Sequence, residues 1–196
     1  MQELFIKRFL YYKELGDKTF EQLSDEQVLW QYNAESNSIA VIVKHISGNM
    51  LSRWPDFLTE DGEKEGRKCD AEFVNDLTSK EEMLQTWEKG WTVLFDALNQ
   101  VSEENINRVI FIRGEERTVL DTVLRQVAHY SYHIGQIIYA AKMLKKEDRK
   151  NLSIPPNQSE AHPKARPEEQ EPHERQQNAS PVCYANDPEV RGEYKT

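Results

Sequence analysis

Four stretches of this sequence space their apolar residues at the interval of an α-helix, and almost nothing in it alternates as a strand does. The second stretch is the clearest. Ile39, Ile42, Val43, Ile46 and Met50 follow i, i+3, i+4, i+7 and i+11, which lines a single helix face. It runs from about Ser38 to Arg53 and stops before Pro55, whose ring disfavours helix at the preceding residue. The first stretch, about Gln2 to Leu15, offers Leu4, Phe5, Phe9 and Tyr12, with Gly16 suited to end it. Ser24 and Gln27 form a capping-box pattern for a shorter helical turn. The third, about Lys80 to Gln100, carries Leu84, Trp87, Trp91, Leu94, Phe95 and Leu98 behind a second capping pattern, Ser79 and Glu82. The fourth follows Thr118 as N-cap and runs from about Val119 to Lys145. Leu120, Val123, Leu124, Val127, Ile134, Ile138 and Ala141 are expected inward.

Four such helices predict an all-α four-helix bundle. The connections between the first and second, and between the second and third, are long. The bundle therefore need not run simply up-down-up-down. Pro55 to Thr78 is polar, with Asp61-Gly62 as a turn signal, and "RVIFIRG" before the fourth helix is a short extended candidate. The bundle is expected over residues 1–159. From 160 to 196 there is no Leu, Ile, Phe, Met or Trp, and five of the eight prolines fall there. Such a segment buries too little apolar surface to offset its ordering entropy, so a disordered or loosely packed tail is expected.

Charge and composition narrow the function classes. With 25 basic and 34 acidic residues the formal charge is −9, and no dense basic patch stands out, which argues against nucleic-acid phosphates. No apolar run approaches the roughly 20 residues that span a bilayer. The N-terminus mixes charges among its apolar residues, unlike a signal peptide. Two cysteines, Cys69 and Cys183, make no disulfide framework. A cytoplasmic location without membrane or nucleic-acid partners is expected. A homodimer is an open alternative to a monomer, signalled if aromatic residues stand exposed on the first or third helix.

The histidines carry the chemistry. His162 and His173 lie in the tail, among Pro and Glu. His129 and His133 are one turn apart in the fourth helix, so both imidazoles can face one ion. Thr122, Gln126, Gln136 and Ala140 share their side, a polar but uncharged stripe that suggests enclosure. In the second helix Val41, His45, Asn49 and Arg53 step along one flank at intervals of four. A bare H-x-x-x-H is a weak signal, and Tyr130 stands where a zincin has its glutamate. The alternative is a set of packed, hydrogen-bonded histidines. A third histidine on another core helix makes a three-histidine divalent-metal site, with positions open to water or substrate, an equal alternative to that packing. Arg53 would pair with an acidic substrate group, or else form a surface salt bridge. Asn49 and Gln126 would orient a ligand or support the histidines. Cys69 follows Arg67 and Lys68, cations that favour a thiolate, though an incidental thiol is the simpler reading.

These residues, with "NSIAVIVKHISGNMLSRWPDFLTEDGEK", "RQVAHYSYHIGQIIYAAKML" and "LSIPPNQS", resemble the DinB/YfiT-like metalloenzymes, and more closely one uncharacterised bacterial branch of them. The resemblance covers about residues 1–159. It implies an up-down-down-up bundle and a divalent ion, nickel or zinc, on His45, His129 and His133. Similar proteins of known activity transfer thiols, as bacillithiol or mycothiol S-transferases or a mycothiol-dependent isomerase. A low-molecular-weight thiol and an electrophile are thus the expected partners. The alternatives are metal-dependent hydrolysis, in which the ion acidifies a water, and a non-catalytic metal-binding bundle in a stress response. Hydrolysis needs a proton acceptor, and no carboxylate is evident on the histidine faces.

Overall fold

Each long helix begins where a small hydroxyl side chain caps it, save the first. Ser24 accepts from Gln27 N, and the Gln27 side chain returns the bond, starting α2 (Asp25–Leu29) after α1 (Gln2–Phe20). Ser38 accepts from Val41 N ahead of α3 (Ile39–Arg53), and Ser79 from Glu82 N ahead of α4 (Lys80–Leu98). Thr118 accepts from Asp121 N ahead of α5 (Val119–Lys145). These come from a computed structural model, which describes residues 1–64, 67, 69–145, 150 and 152, all within the unit Met1–Ile154. The expected boundary at 159 and the tail, with His162, His173 and Cys183, lie outside the described residues, as does Lys68.

Helix directions follow from which residues meet. Phe9 of α1 packs on Tyr130 of α5, 5.8 Å between ring centres, while Leu15 and Thr19 share a groove with Ile138 and Ala141. These helices are therefore parallel. Gln2 Nε2 donates to Leu98 O at 3.1 Å and Trp87 Nε1 to Asp17 Oδ1 at 2.7 Å, so α1 and α4 are antiparallel. His45 of α3 faces His133 of α5, whereas Arg53 shares a pocket with Arg125 and Gln126, again antiparallel. The order is up, down, down, up. No helix among the described residues is long and apolar enough to cross a membrane.

The core is aromatic. Phe9, Phe20, Trp87, Trp91 and Tyr130 are all almost fully buried, with Phe20 edge-on to Trp87 at 5.1 Å. Large rings remove the most apolar area from water per residue, and edge-to-face pairs add to that. Trp87 explains one departure from the sequence reading. The first helix does not end at Gly16 but runs on to Phe20, with Gly16 buried within it. A Cβ at Gly16 would stand 2.6 Å from Trp87 Cζ2, so the glycine serves close packing rather than termination. Leu4 and Leu124, both expected inward, are 53% and 54% exposed. The buried line of α5 instead passes through Val119, Thr122, Val123, Gln126, Tyr130, Ile134, Ile137 and Ala141.

Two connections complete the site. The first, between α3 and α4, folds into a 3-10 turn at Cys69–Phe73. In the second, the "RVIFIRG" stretch forms β1 (Val109–Ile112), paired antiparallel with β2 (Glu115–Thr118), Ile112 opposite Glu115. The turn between them holds Arg113 and Gly114 at φ of 56° and 73°, the pattern of a type I′ hairpin. Asp61 clasps that turn. Its carboxylate accepts from the backbone N–H of Glu63, Arg113 and Gly114, at 2.7, 2.8 and 2.8 Å.

Candidate metal centre

His45 comes from the middle of α3, and His129 and His133 from the middle of α5. One ligating nitrogen from each falls within 4.8 Å of the others. His129 Nε2 lies 3.0 Å from His133 Nε2 and 3.3 Å from His45 Nε2. Nitrogens bound at 2.0–2.1 Å with tetrahedral angles stand about 3.3–3.4 Å apart, so this spacing suits one ion.

The other nitrogen of each ring meets an oxygen. His45 Nδ1 is 3.0 Å from Glu72 Oε2, His129 Nδ1 is 3.2 Å from Gln126 Oε1, and His133 Nδ1 is 2.7 Å from Gln136 Oε1. An acceptor at Nδ1 places the proton there and leaves Nε2 as a lone pair. Three lone pairs then point at one small region. Burial and the neighbouring His133, His45, Arg125 and Arg53 push the His129 pKa down to about 3. Burial also lowers that of His133, against the pull of Gln136. Both rings are therefore neutral near pH 7, the state in which imidazole binds a metal.

Glu72 is the residue that sequence reasoning missed. It arrives from the 3-10 turn, distant along the chain from His45, so no helical spacing reveals it. The available signal was indirect: a ligating histidine usually gives its second nitrogen to an acceptor. Gly48 makes room for it, since a Cβ there would meet Glu72 Oε1 at 2.5 Å. Arg67 holds the carboxylate from its other side, with Nε 2.8 Å from Oε1 and Nη2 2.9 Å from Oε2. Burial alone would raise the Glu72 pKa, but the bonds from His45 and Arg67 outweigh it and lower the value. Burial likewise opposes the Arg67 charge, and Glu72 more than compensates. Phe73 stacks on the His45 ring at 4.7 Å.

Beside the histidines a cavity of about 500 Å³ opens. His45, His129, Asn49, Arg53 and Gln126 all line it, as does Cys69, while His133 is not among its walls. The Cys69 thiol donates to Glu63 Oε1 at 3.4 Å. Asn49 Oδ1 accepts from Tyr130 Oη at 3.0 Å, and Tyr130 Oη accepts from Trp54 Nε1 at 3.1 Å. Gln126, 2% exposed, is committed to His129. Arg53 is buried rather than a surface residue, at 6% exposure.

The family model described as "Protein of unknown function (DUF1572)" matches residues 2–158. The chain belongs to this family. No curated protein matches it. A crystal structure of a DinB-like protein from Bacillus cereus ATCC 10987 is similar, at 17% identity and a TM-score of 0.56, over 72% of this chain and 91% of that one. At that identity the likeness shows the fold, and this DUF1572 chain has a DinB-like helical bundle. Its three histidines form a group able to bind a metal ion.

Proposed function

We propose that the chain is a divalent-metal enzyme, with nickel or zinc on His45, His129 and His133, that activates a low-molecular-weight thiol towards an electrophile. The supporting observation is the convergence of three Nε2 lone pairs, each ring fixed through Nδ1 by an oxygen acceptor. When bound, a divalent ion supplies a Lewis acid that deprotonates a coordinated thiol at neutral pH. The residues do the rest. Glu72 and Gln126 orient the imidazoles, Arg67 keeps Glu72 ionised, and Phe73 shields one face of His45. Asn49 and Arg53 border the space where an electrophile would lie.

The cavity favours chemistry over a sealed structural site, because His45 and His129 are reached from it. The carboxylates favour thiol activation over hydrolysis. Glu72 is occupied by His45 and Arg67, Glu63 by Arg67 and Arg113, and Glu115 by Arg117. No free general base stands among the described pocket residues. Elemental analysis of the purified chain, then a thiol-conjugation assay over a panel of electrophiles, tests the reading. One equivalent of zinc or nickel and metal-dependent conjugation are expected. Absence of bound metal after reconstitution would overturn it, and hydrolysis of activated esters without conjugation would favour the hydrolase.

A further inference from the structure

The chain carries a formal charge of −9, yet the cavity beside the histidines is lined by five arginines: Arg53, Arg67, Arg113, Arg117 and Arg125. Three of these are neutralised by carboxylates. Arg67 is held by Glu72 and Glu63, Arg113 by Glu63, and Arg117 by Glu115 and Asp121. The remaining two are less well paired. Arg53 Nε is buried without a hydrogen-bond partner, and its nearest carboxylate contact, Nη2 to Glu63 Oε2, is 3.7 Å, beyond hydrogen-bonding range. Arg125 has no ion pair among the described residues, since Asp121, one turn before it, is engaged by Arg117.

A buried guanidinium with an unsatisfied N–H and only a long ion pair is costly, because its desolvation is incompletely compensated. Arg53 is 6% exposed and cannot recover the loss from bulk water. Arg125 stands close enough that its charge further disfavours that of Arg53. Two like charges, on opposing helices, face one cavity: Arg53 has only the distant Glu63, already bound by Arg67 and Arg113, and the exposed Arg125 has no ion pair among the described residues. An oxyanion removes both penalties, and guanidinium geometry suits carboxylate and phosphate oxygens in bidentate pairs.

We infer that Arg53 and Arg125 form an anion subsite that receives a carboxylate or phosphate group of the substrate. The subsite stands on the arginines alone. That the same molecule reacts beside the histidines rests on the metalloenzyme reading above. Geometry then sets its length. Along α3, Arg53 follows His45 by two turns, about 12 Å of helix rise, and along α5 Arg125 precedes His129 by one turn, about 6 Å. On this backbone scale the anionic group would stand on the order of 6–12 Å or less from the reacting atom.

Calorimetric titration of the full chain with inorganic phosphate, and separately with succinate, tests the subsite, each on the chain as purified and on chain stripped of metal with EDTA and then dialysed free of the chelator. A single saturable site for at least one anion, retained in the metal-stripped chain, is expected. Preference between the two probes tells a phosphate from a carboxylate substrate. Arg53→Gln should weaken binding at least tenfold and Arg125→Gln at least threefold, while Arg8→Gln, on the outside of α1, changes nothing. If Arg53→Gln fails to fold by circular dichroism, Arg125→Gln decides alone. The inference is overturned if neither anion saturates, if the arginine variants bind as the parent does, or if the metal-stripped, chelator-free chain no longer binds. Zinc stoichiometry on the same samples separates the two readings: phosphate binding in a chain that takes up no zinc defeats the metalloenzyme and leaves the subsite standing.

Discussion

The two sides of α3 are built on opposite principles. One side, with Ile39, Ile42, Val43, Ile46 and Met50, enters an apolar core shared with Trp87 and Trp91 of α4. The other, with His45, Asn49 and Arg53, faces α5 and the loops across hydrogen bonds and charges. The core is non-directional and stabilises through area removed from water. The polar side depends on partners at fixed distances, and one lost partner leaves another group unsatisfied. The lesson is a division of labour: the apolar side makes the bundle stable, and the polar side spends part of that stability on a shaped site.

Substitutions separate the two sides. The largest effect is expected from Trp87→Ala, which empties the core and removes the bond to Asp17. It should cost about 3–5 kcal/mol and lower the melting temperature by more than about 6 °C, while the folded fraction keeps its zinc stoichiometry. Loss of metal by this variant would break the division. His129→Ala should do the reverse. Zinc affinity, by competition with a chromophoric chelator, should fall at least about 100-fold, beyond the usual loss for an outer partner, with the fold retained. Unchanged affinity with a lowered melting temperature would mark His129 as a packing residue. Glu72→Gln is expected to weaken zinc about 10–100-fold through the orientation of His45.

The smallest effect is pH dependence in the metal-free chain. The folded pKa values of His129 and His133 lie below the ordinary 6.5. Their contribution is therefore complete above pH 6.5 and is lost as pH falls towards the folded values. Glu72 is held below 4.5 and contributes a loss only in still more acidic solution. Between pH 6.5 and 4.5 the melting temperature should fall by a few degrees, at about 2–4 °C per kcal/mol. A flat profile in calorimetry, or one that His129→Ala leaves equally steep, would refute this origin.

What the sequence disclosed follows the same division. Helical periodicity located all four long helices, and the bounds of α5 at Val119 and Lys145 were legible because Thr118 caps a continuous pattern. The four-residue interval put His129 and His133 on one side, where their Nε2 atoms stand 3.0 Å apart. Gly16 misled because a glycine reads as a helix end when the tryptophan it accommodates lies on a distant helix. Leu124 misled because buried Thr122 and Gln126 displaced the inward face from the purely apolar stripe. Glu72, Arg67 and Arg113 were illegible for a different reason. Loop residues have no periodicity, and the partners they meet are set by tertiary packing alone.

Trp54, Tyr130 and Asn49 make a buried chain from indole to phenol to amide, linking α3 to α5. Tyr130 follows His129 directly, and Asn49 lies one turn beyond His45. Apolar faces tolerate sliding, since a helix moved by one turn still finds grooves. This chain does not, because its three groups mate at a single setting. It works as a dowel pin between two machined parts, indexing one helix against the other. A chain with Tyr130→Phe would keep its core yet lose that index, and the gap between His45 and His129 would become free to wander.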